Sequence, residues 1–234
     1  MPLFGFSRTL PTRTIFREFL QDVTRRVASV NRGLDAATTF GGQTILDGVS
    51  AVSSVQLRLG LEPPARRLTG PEIGELQKIF GDSVDYEAVR IKEGPAGLFS
   101  ANDRAFTSGN TIYMKGFRDD PFTADRMEQM PVLVSEVTHI WQYQNGGAGY
   151  ASRALLSQRF GAGYDFARSV PHTPWGDLQP EQQDAFLAAA YRARAFDSDP
   201  AVFWYDLGGD GQWDDLSGYL RDALVEIRAG RGAD

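Results

Sequence analysis

The sequence predicts an α+β fold: mostly helices around a small sheet, with an N-terminal helical arm. Three observations predict it. Apolar residues recur at intervals of three and four over several separate stretches, which is the helical signature. Ala105 to Met114 instead reads as two short extended runs about a Gly109-Asn110 turn, the mark of a β-hairpin. Proline and glycine clusters, Glu62-Pro63-Pro64 and Asn145-Gly146-Gly147-Ala148-Gly149, cut the periodic stretches apart.

The first stretch of helical spacing runs from Thr14 to about Asn31 through Ile15, Phe16, Phe19, Leu20, Val23, Val27 and Val30. A second, from about Gln43 to Leu59, carries Ile45, Leu46, Val49, Val52 and Val55. Together they make residues 1–62 a helical arm, either a hairpin packed on the rest of the chain or a docking segment for a partner. The main domain is expected over residues 63–234. Thr69-Gly70-Pro71-Glu72 opens a helix with an N-cap threonine, an early proline and a glutamate three residues on. Ile73, Leu76, Ile79 and Phe80 give that helix its buried face, and Gly81 ends it. Tyr86 to Lys92 reads as a strand, and Phe117 to Met130 as an acidic, proline-broken loop. Leu133 to Gln144 is an amphipathic helix, and Ala151 to Phe160 a short one. Gly161 to Pro180 reads as a loop, Glu181 to Phe196 as an alanine-rich helix, and Leu216 to Ile227 as the closing helix. Asp206 to Asp215 resembles a Ca²⁺ loop only in part. Gly208 and Ser217 stand at its third and twelfth positions, so the bidentate glutamate is missing and a structural turn is the better reading.

Composition bounds the function. A net charge of −6 and a pI near 5.0 exclude the basic surface that nucleic acid requires. No apolar run approaches the ~18 residues of a membrane span, and Met1 to Thr14 shows no apolar core of a signal peptide, so a cytoplasmic location is expected. Without cysteine there is neither disulfide nor thiolate ligand, and with two histidines, His139 and His172, any zinc site must lean on carboxylates.

The chemistry concentrates in the helix Leu133 to Gln144. Leu133, Val134, Val137, Ile140, Trp141 and Gln144 form its core-facing stripe, while Ser135, Glu136, His139 and Tyr143 share another face. Glu136-Val137-Thr138-His139 is the second half of the His-Glu-x-x-His pattern, in which two imidazoles bind Zn²⁺ and the glutamate is the general base. The first histidine is replaced by Ser135, a neutral and weak ligand. A Ser135–His139 nucleophile pair lacks a glycine elbow and an oxyanion hole, and Glu136 with Glu181 has no spacing that points to glycosidase chemistry.

Ile79-Phe80-Gly81-Asp82-Ser83, Val89-Arg90-Ile91, Ala105 to Tyr113 and Leu133 to Gln144 follow one another in a familiar order. In them the chain resembles the zincin-like zinc-metallopeptidase domain found with bacterial contractile injection systems, including small Vgr-related proteins. The resemblance covers about Arg66 to Tyr191. It implies a zincin-like fold with Glu136 as general base, His139 as the second zinc histidine, and Glu181 of Pro180-Glu181-Gln182-Gln183 as a further ligand. Because Ser135 departs from that pattern, the leading expectation is a metal-free site in a binding or accessory protein. Its cleft would involve Ser135, Tyr143, Tyr164 and His172, and its partner would be a peptide or protein. One alternative is an active zinc peptidase using His139, Glu181 and one more ligand, such as His172 or an aspartate of residues 161–180. A further alternative is a structural or effector component of the injection system, assembled with its proteins and exported by it.

Overall fold

A helix whose first turn is tied down on both sides opens the described part of the chain. Thr69 N–H donates to Glu72 Oε2 at 2.8 Å and Glu72 N–H to Thr69 Oγ1 at 3.4 Å, so the two residues cap helix α1 (Gly70–Phe80) reciprocally. Arg66 grips the same glutamate with two guanidinium nitrogens, at 2.9 and 3.0 Å. Burial alone would raise the Glu72 pKa; Arg66 and the Thr69 amide outweigh it and hold the carboxyl below its usual range. Leu76, Ile79 and Phe80 are buried, and Gly81 closes the helix at a positive φ of 55° that suits glycine. The structure, a computed structural model, describes residues 65–92, 105–114, 124–147 and 165–233. The N-terminal arm of residues 1–62, the boundary at 62/63, the helix expected over 151–160 and Tyr164 lie outside the described residues.

The sheet is small. Strands β1 (Arg90–Lys92), β2 (Phe106–Ser108) and β3 (Thr111–Tyr113) lie in the order β1-β3-β2. The expected hairpin forms about Gly109 and Asn110, with β2 antiparallel to β3. The strand expected from Tyr86 is shorter than its pattern: residues 86–88 form a turn, and pairing starts only at Arg90, parallel to Thr111. Register puts Ile91, Ile112 and Thr107 in one row, because Ile112 faces both of the others. Residues in one row point to one side of a sheet, and this side meets helix α2 (Ala124–Gly146).

Helix α2 is longer than Leu133 to Gln144. It begins at Ala124, inside the stretch expected to be loop, and carries Pro131 within it. Proline removes one backbone donor and crowds the preceding turn. Burial of Met130, Leu133, Val134, Val137, Ile140 and Trp141 holds the helix together across that defect. Its main neighbour is α3 (Pro180–Arg192), which starts at the expected proline, with Gln182 Oε1 accepting the Gln179 N–H at 3.0 Å. Instead of continuing to Phe196, α3 stops at Arg192. Arg194 takes a left-handed conformation, φ 59°, and a short 3₁₀ turn (Ala195–Asp197) folds Ala195 and Phe196 into the core.

Of the acidic stretch Asp206 to Asp215, residues 206–213 are the loop of a second hairpin and the last two are its strand β5 (Asp214–Asp215), paired with β4 (Trp204–Tyr205). Asp206 turns both carboxylate oxygens inward to accept the N–H groups of Asp210 and Gly211, which is a structural turn. Helix α4 (Ser217–Arg228) buries Leu220, Ala223, Leu224 and Ile227, and Arg228 donates to the last carbonyls of α1, Lys78 O and Ile79 O. The architecture is α+β, helices packed around two small sheets. Among the described residues, no helix is long and apolar enough to cross a membrane.

Candidate metal and acid–base centre

The contact between α2 and α3 buries a set of ionisable side chains. Helical spacing brings Ser135 and His139 of α2 one turn apart, and Glu181 and Asp184 of α3 one turn apart, each pair on a single face. His139 Nε2 lies 3.2 Å from Asp184 Oδ2 and 3.7 Å from Glu181 Oε2. The side chains of Glu181 and Asp184 are only 2% and 5% exposed, so both are shielded from bulk water. One donor atom from each of His139, Glu181 and Asp184 can be chosen so that all lie within 4.8 Å of one another, close enough to share a metal ion. Ser135 reaches this set through the aspartate. Its Oγ donates to Asp184 Oδ2 at 2.7 Å, fastening the carboxylate that came from the other helix.

Glu136 is held separately. The register that turns Thr107 toward α2 lets its Oγ1 donate to Glu136 Oε2 at 2.6 Å, with Glu136 O at 3.2 Å. Burial is the main cause that raises the Glu136 pKa, with the charges of Asp184 and Glu181 adding to it. His139 and the Thr107 hydroxyl pull the other way, and the balance stands at about 7. For His139, burial by itself would lower the pKa. The Asp184 hydrogen bond and the charges of Asp184, Glu181 and Glu136 outweigh burial and carry it up to about 10. The imidazole is thus the proton reservoir of the cluster, and Glu136 sits where a carboxyl can both take and give a proton near neutrality.

Behind the imidazole runs a line of buried amides. His139 Nδ1 lies 2.8 Å from Gln142 Oε1, and Gln142 Nε2 donates to Gln183 Oε1 at 2.8 Å and to Pro180 O at 3.1 Å. Gln183 Nε2 donates to Trp175 O at 2.9 Å and Gly232 O at 2.7 Å.

The structure therefore brings His139, Glu181, Ser135 and Glu136 together and leaves His172 out. His172 is exposed on a turn, its N–H bonded to Ser169 O, and takes no part in the metal-suited cluster. The aspartate that joins His139 and Glu181 is Asp184, on α3 itself, and not one from residues 161–180; Asp165 and Asp177 are exposed. The hydrogen bond to the Glu136 carboxylate comes from Thr107. Tyr143 is half-buried beside the β2–β3 turn, where a Cβ on Gly109 would stand 3.6 Å from its ring. Asp184 had a readable signal, its three-residue offset from Glu181 on a strong helix, as did Gln142 three residues after His139. Thr107 had none, because only strand register aims it.

No family model matches the chain. Over 85 residues, 35% of the chain, it is 28% identical to the type VI secretion system spike protein VgrG2b of Pseudomonas aeruginosa. That stretch spans 8% of the spike protein's length. The solved effector domain of Pseudomonas aeruginosa VgrG2b matches at 26% identity and a TM-score of 0.42, covering 67% of this chain and 90% of that domain. The sequence likeness ties the chain to a Vgr-related protein of an injection system.

Proposed function

We propose that this chain is an effector-type component of a bacterial injection system, with a zincin-like hydrolytic centre in which Asp184 completes the ligand set that Ser135 leaves short. The observation that carries the reading is the convergence of His139, Glu181 and Asp184 at the α2–α3 contact. Ligands about 2.0–2.1 Å from a shared tetrahedral ion stand about 3.4 Å from one another. The imidazole-to-carboxylate distances of 3.2 and 3.7 Å bracket that value. Asp184 Oδ1 is buried without a hydrogen-bond partner among the described residues, as suits a carboxylate with a further contact to make.

His139 Nε2, Glu181 and Asp184 would hold a divalent ion, zinc or a harder cation such as manganese given two oxygen donors. Such an ion supplies Lewis acidity toward a peptide carbonyl. The chain's own residues do the rest. Glu136, with Oε2 pinned by Thr107, keeps its other oxygen as the proton acceptor and later the donor to a leaving amine, which its pKa near 7 permits. Ser135 orients Asp184, and burial of the cluster limits access of bulk water.

The Ser135–Asp184 hydrogen bond favours a second reading, a closed metal-free network in an accessory protein that binds a peptide. Metal content separates the two. Full-length protein purified without chelator is expected to hold about one equivalent of zinc or manganese, and Ser135→His to bind zinc at least ~tenfold more tightly by calorimetry. If neither the natural protein nor Ser135→His takes up either metal, the hydrolytic reading falls and the accessory one replaces it. Association with the injection apparatus is tested by co-purification with its spike proteins.

A further inference from the structure

A neutral imidazole can carry its proton on either nitrogen, and heavy-atom positions alone do not say which. The amides behind His139 decide it. Trp175 O and Gly232 O are backbone carbonyls, which only accept, so the Gln183 amide must turn its nitrogen toward them and its oxygen toward Gln142. Gln142 then faces two acceptors, Gln183 Oε1 and Pro180 O, and both hydrogens of its amide are used. Its Oε1 is left against His139 Nδ1 at 2.8 Å. An amide oxygen only accepts, so Nδ1 carries a hydrogen and Nε2 is the nitrogen offered to Asp184 and Glu181.

We infer that Gln142 and Gln183 are positioning residues, a relay that fixes His139 as Nδ1–H and takes its direction from the backbone carbonyls of Trp175, Pro180 and Gly232. The relay is sealed from water: Gln142 and Gln183 are 0% and 2% exposed. The segment that supplies Gly232 O is closely seated. Ala233 is buried, a Cβ on Gly146 would run into Ala233 O, and a Cβ on Gly232 would stand 2.8 Å from Trp175 Cδ1. Displacing this segment removes one of the two acceptors of Gln183, while Trp175 O and Pro180 O continue to orient the two amides. The relay thereby sets which imidazole nitrogen keeps its hydrogen while the other faces the carboxylates. Its consequence for cation affinity rests on the function proposed above, whereas the proton on Nδ1 does not.

The experiment is a long-range ¹H–¹⁵N spectrum of the full chain, which has only His139 and His172 to resolve, with His172→Gln to assign them. On adding one equivalent of Zn²⁺, His139 is expected to keep its proton on Nδ1 while Nε2 shifts. Gln142→Leu and Gln183→Leu are expected to speed exchange of the Nδ1–H with solvent and weaken Zn²⁺ binding about 10–100-fold. A proton on Nε2 in the zinc-loaded natural protein overturns the relay, as do two folded variants with unchanged exchange and affinity. If the leucine variants do not fold, the spectrum of the natural protein decides alone. If Zn²⁺ does not bind, the metal-free protein is read above pH 10, where the ring is neutral: a proton kept on Nδ1 upholds the relay while the cation reading falls, and a proton on Nε2 overturns the relay.

Discussion

His139→Ala is expected to destabilise the metal-free protein by about 3–5 kcal/mol near pH 6, and by clearly less near pH 10. The imidazole is the positive charge that the buried Glu136, Glu181 and Asp184 share, and removing it leaves three carboxylates in a place that water reaches poorly. A lone buried charge costs several kcal/mol unless it takes up a proton. The sign with pH follows from the two shifted groups. The His139 pKa is raised from 6.5 to about 10, so its stabilisation is complete below 6.5 and is lost as pH rises through about 10. The Glu136 pKa is raised from 4.5 to about 7, so protonation again favours the folded chain, fully below 4.5 and no longer above about 7. Glu72 runs the other way: its depressed pKa gives stability above 4.5 that is lost in more acidic solution, which sets the lower end of the useful window. Urea titrations of both proteins at pH 6 and pH 10, with chelator present, measure the gap. Equal gaps at the two pH values would mean that His139 is held by packing and that its charge does not matter.

What could be read in the sequence is what its neighbours in the chain decide. The cap of α1 is written in Thr69-Gly70-Pro71-Glu72 because donor and acceptor lie within one turn. The β2–β3 turn is written in Gly109-Asn110, since glycine accepts the positive φ of 57° found there. The grouping of Ser135, Glu136 and His139 follows from helical spacing alone. Contacts across the fold were not legible. Pro131 argues locally against a helix, and only burial of Met130 and Leu133 on either side overrules it. Strands β4 and β5 have two residues each, too few for an alternating pattern. Their pairing is continued by Leu216 N–H donating to Phe203 O, with Phe203 drawn into the core. At the centre the same division holds. Nothing local says that Ser135 will bond Asp184, which lies 49 residues on, or that Thr107 will face Glu136.

Phe186→Ala is expected to cost about 3–5 kcal/mol and to weaken the centre without touching it. Its ring has no exposure and stands at the middle of four others: Phe166 at 5.5 Å, Trp175 at 6.2 Å, Phe203 at 5.4 Å and Tyr219 at 5.4 Å. Three of these contacts are edge-on, the arrangement in which the ring quadrupoles attract. Those four residues come from the segment before α3, the segment leading into β4, and α4, so one side chain packs against three parts of the chain at once. Truncation leaves a void that rigid rings fill poorly, and the penalty therefore sits at the upper end for a core substitution. Against a typical domain stability of ~5–15 kcal/mol this is a large fraction. The second consequence is positional. Phe186 follows Asp184 by two residues on α3, and Trp175 presents the carbonyl that orients Gln183. A looser α3 shifts Glu181 and Asp184 relative to His139, so cation affinity should fall with stability, whereas Phe186→Leu, which fills most of the volume, should recover much of both. Denaturant midpoints and Zn²⁺ titrations on the two variants test this. A loss of stability with unchanged affinity would show that the centre is held by α2 and the glutamine relay, independently of the aromatic packing beneath it.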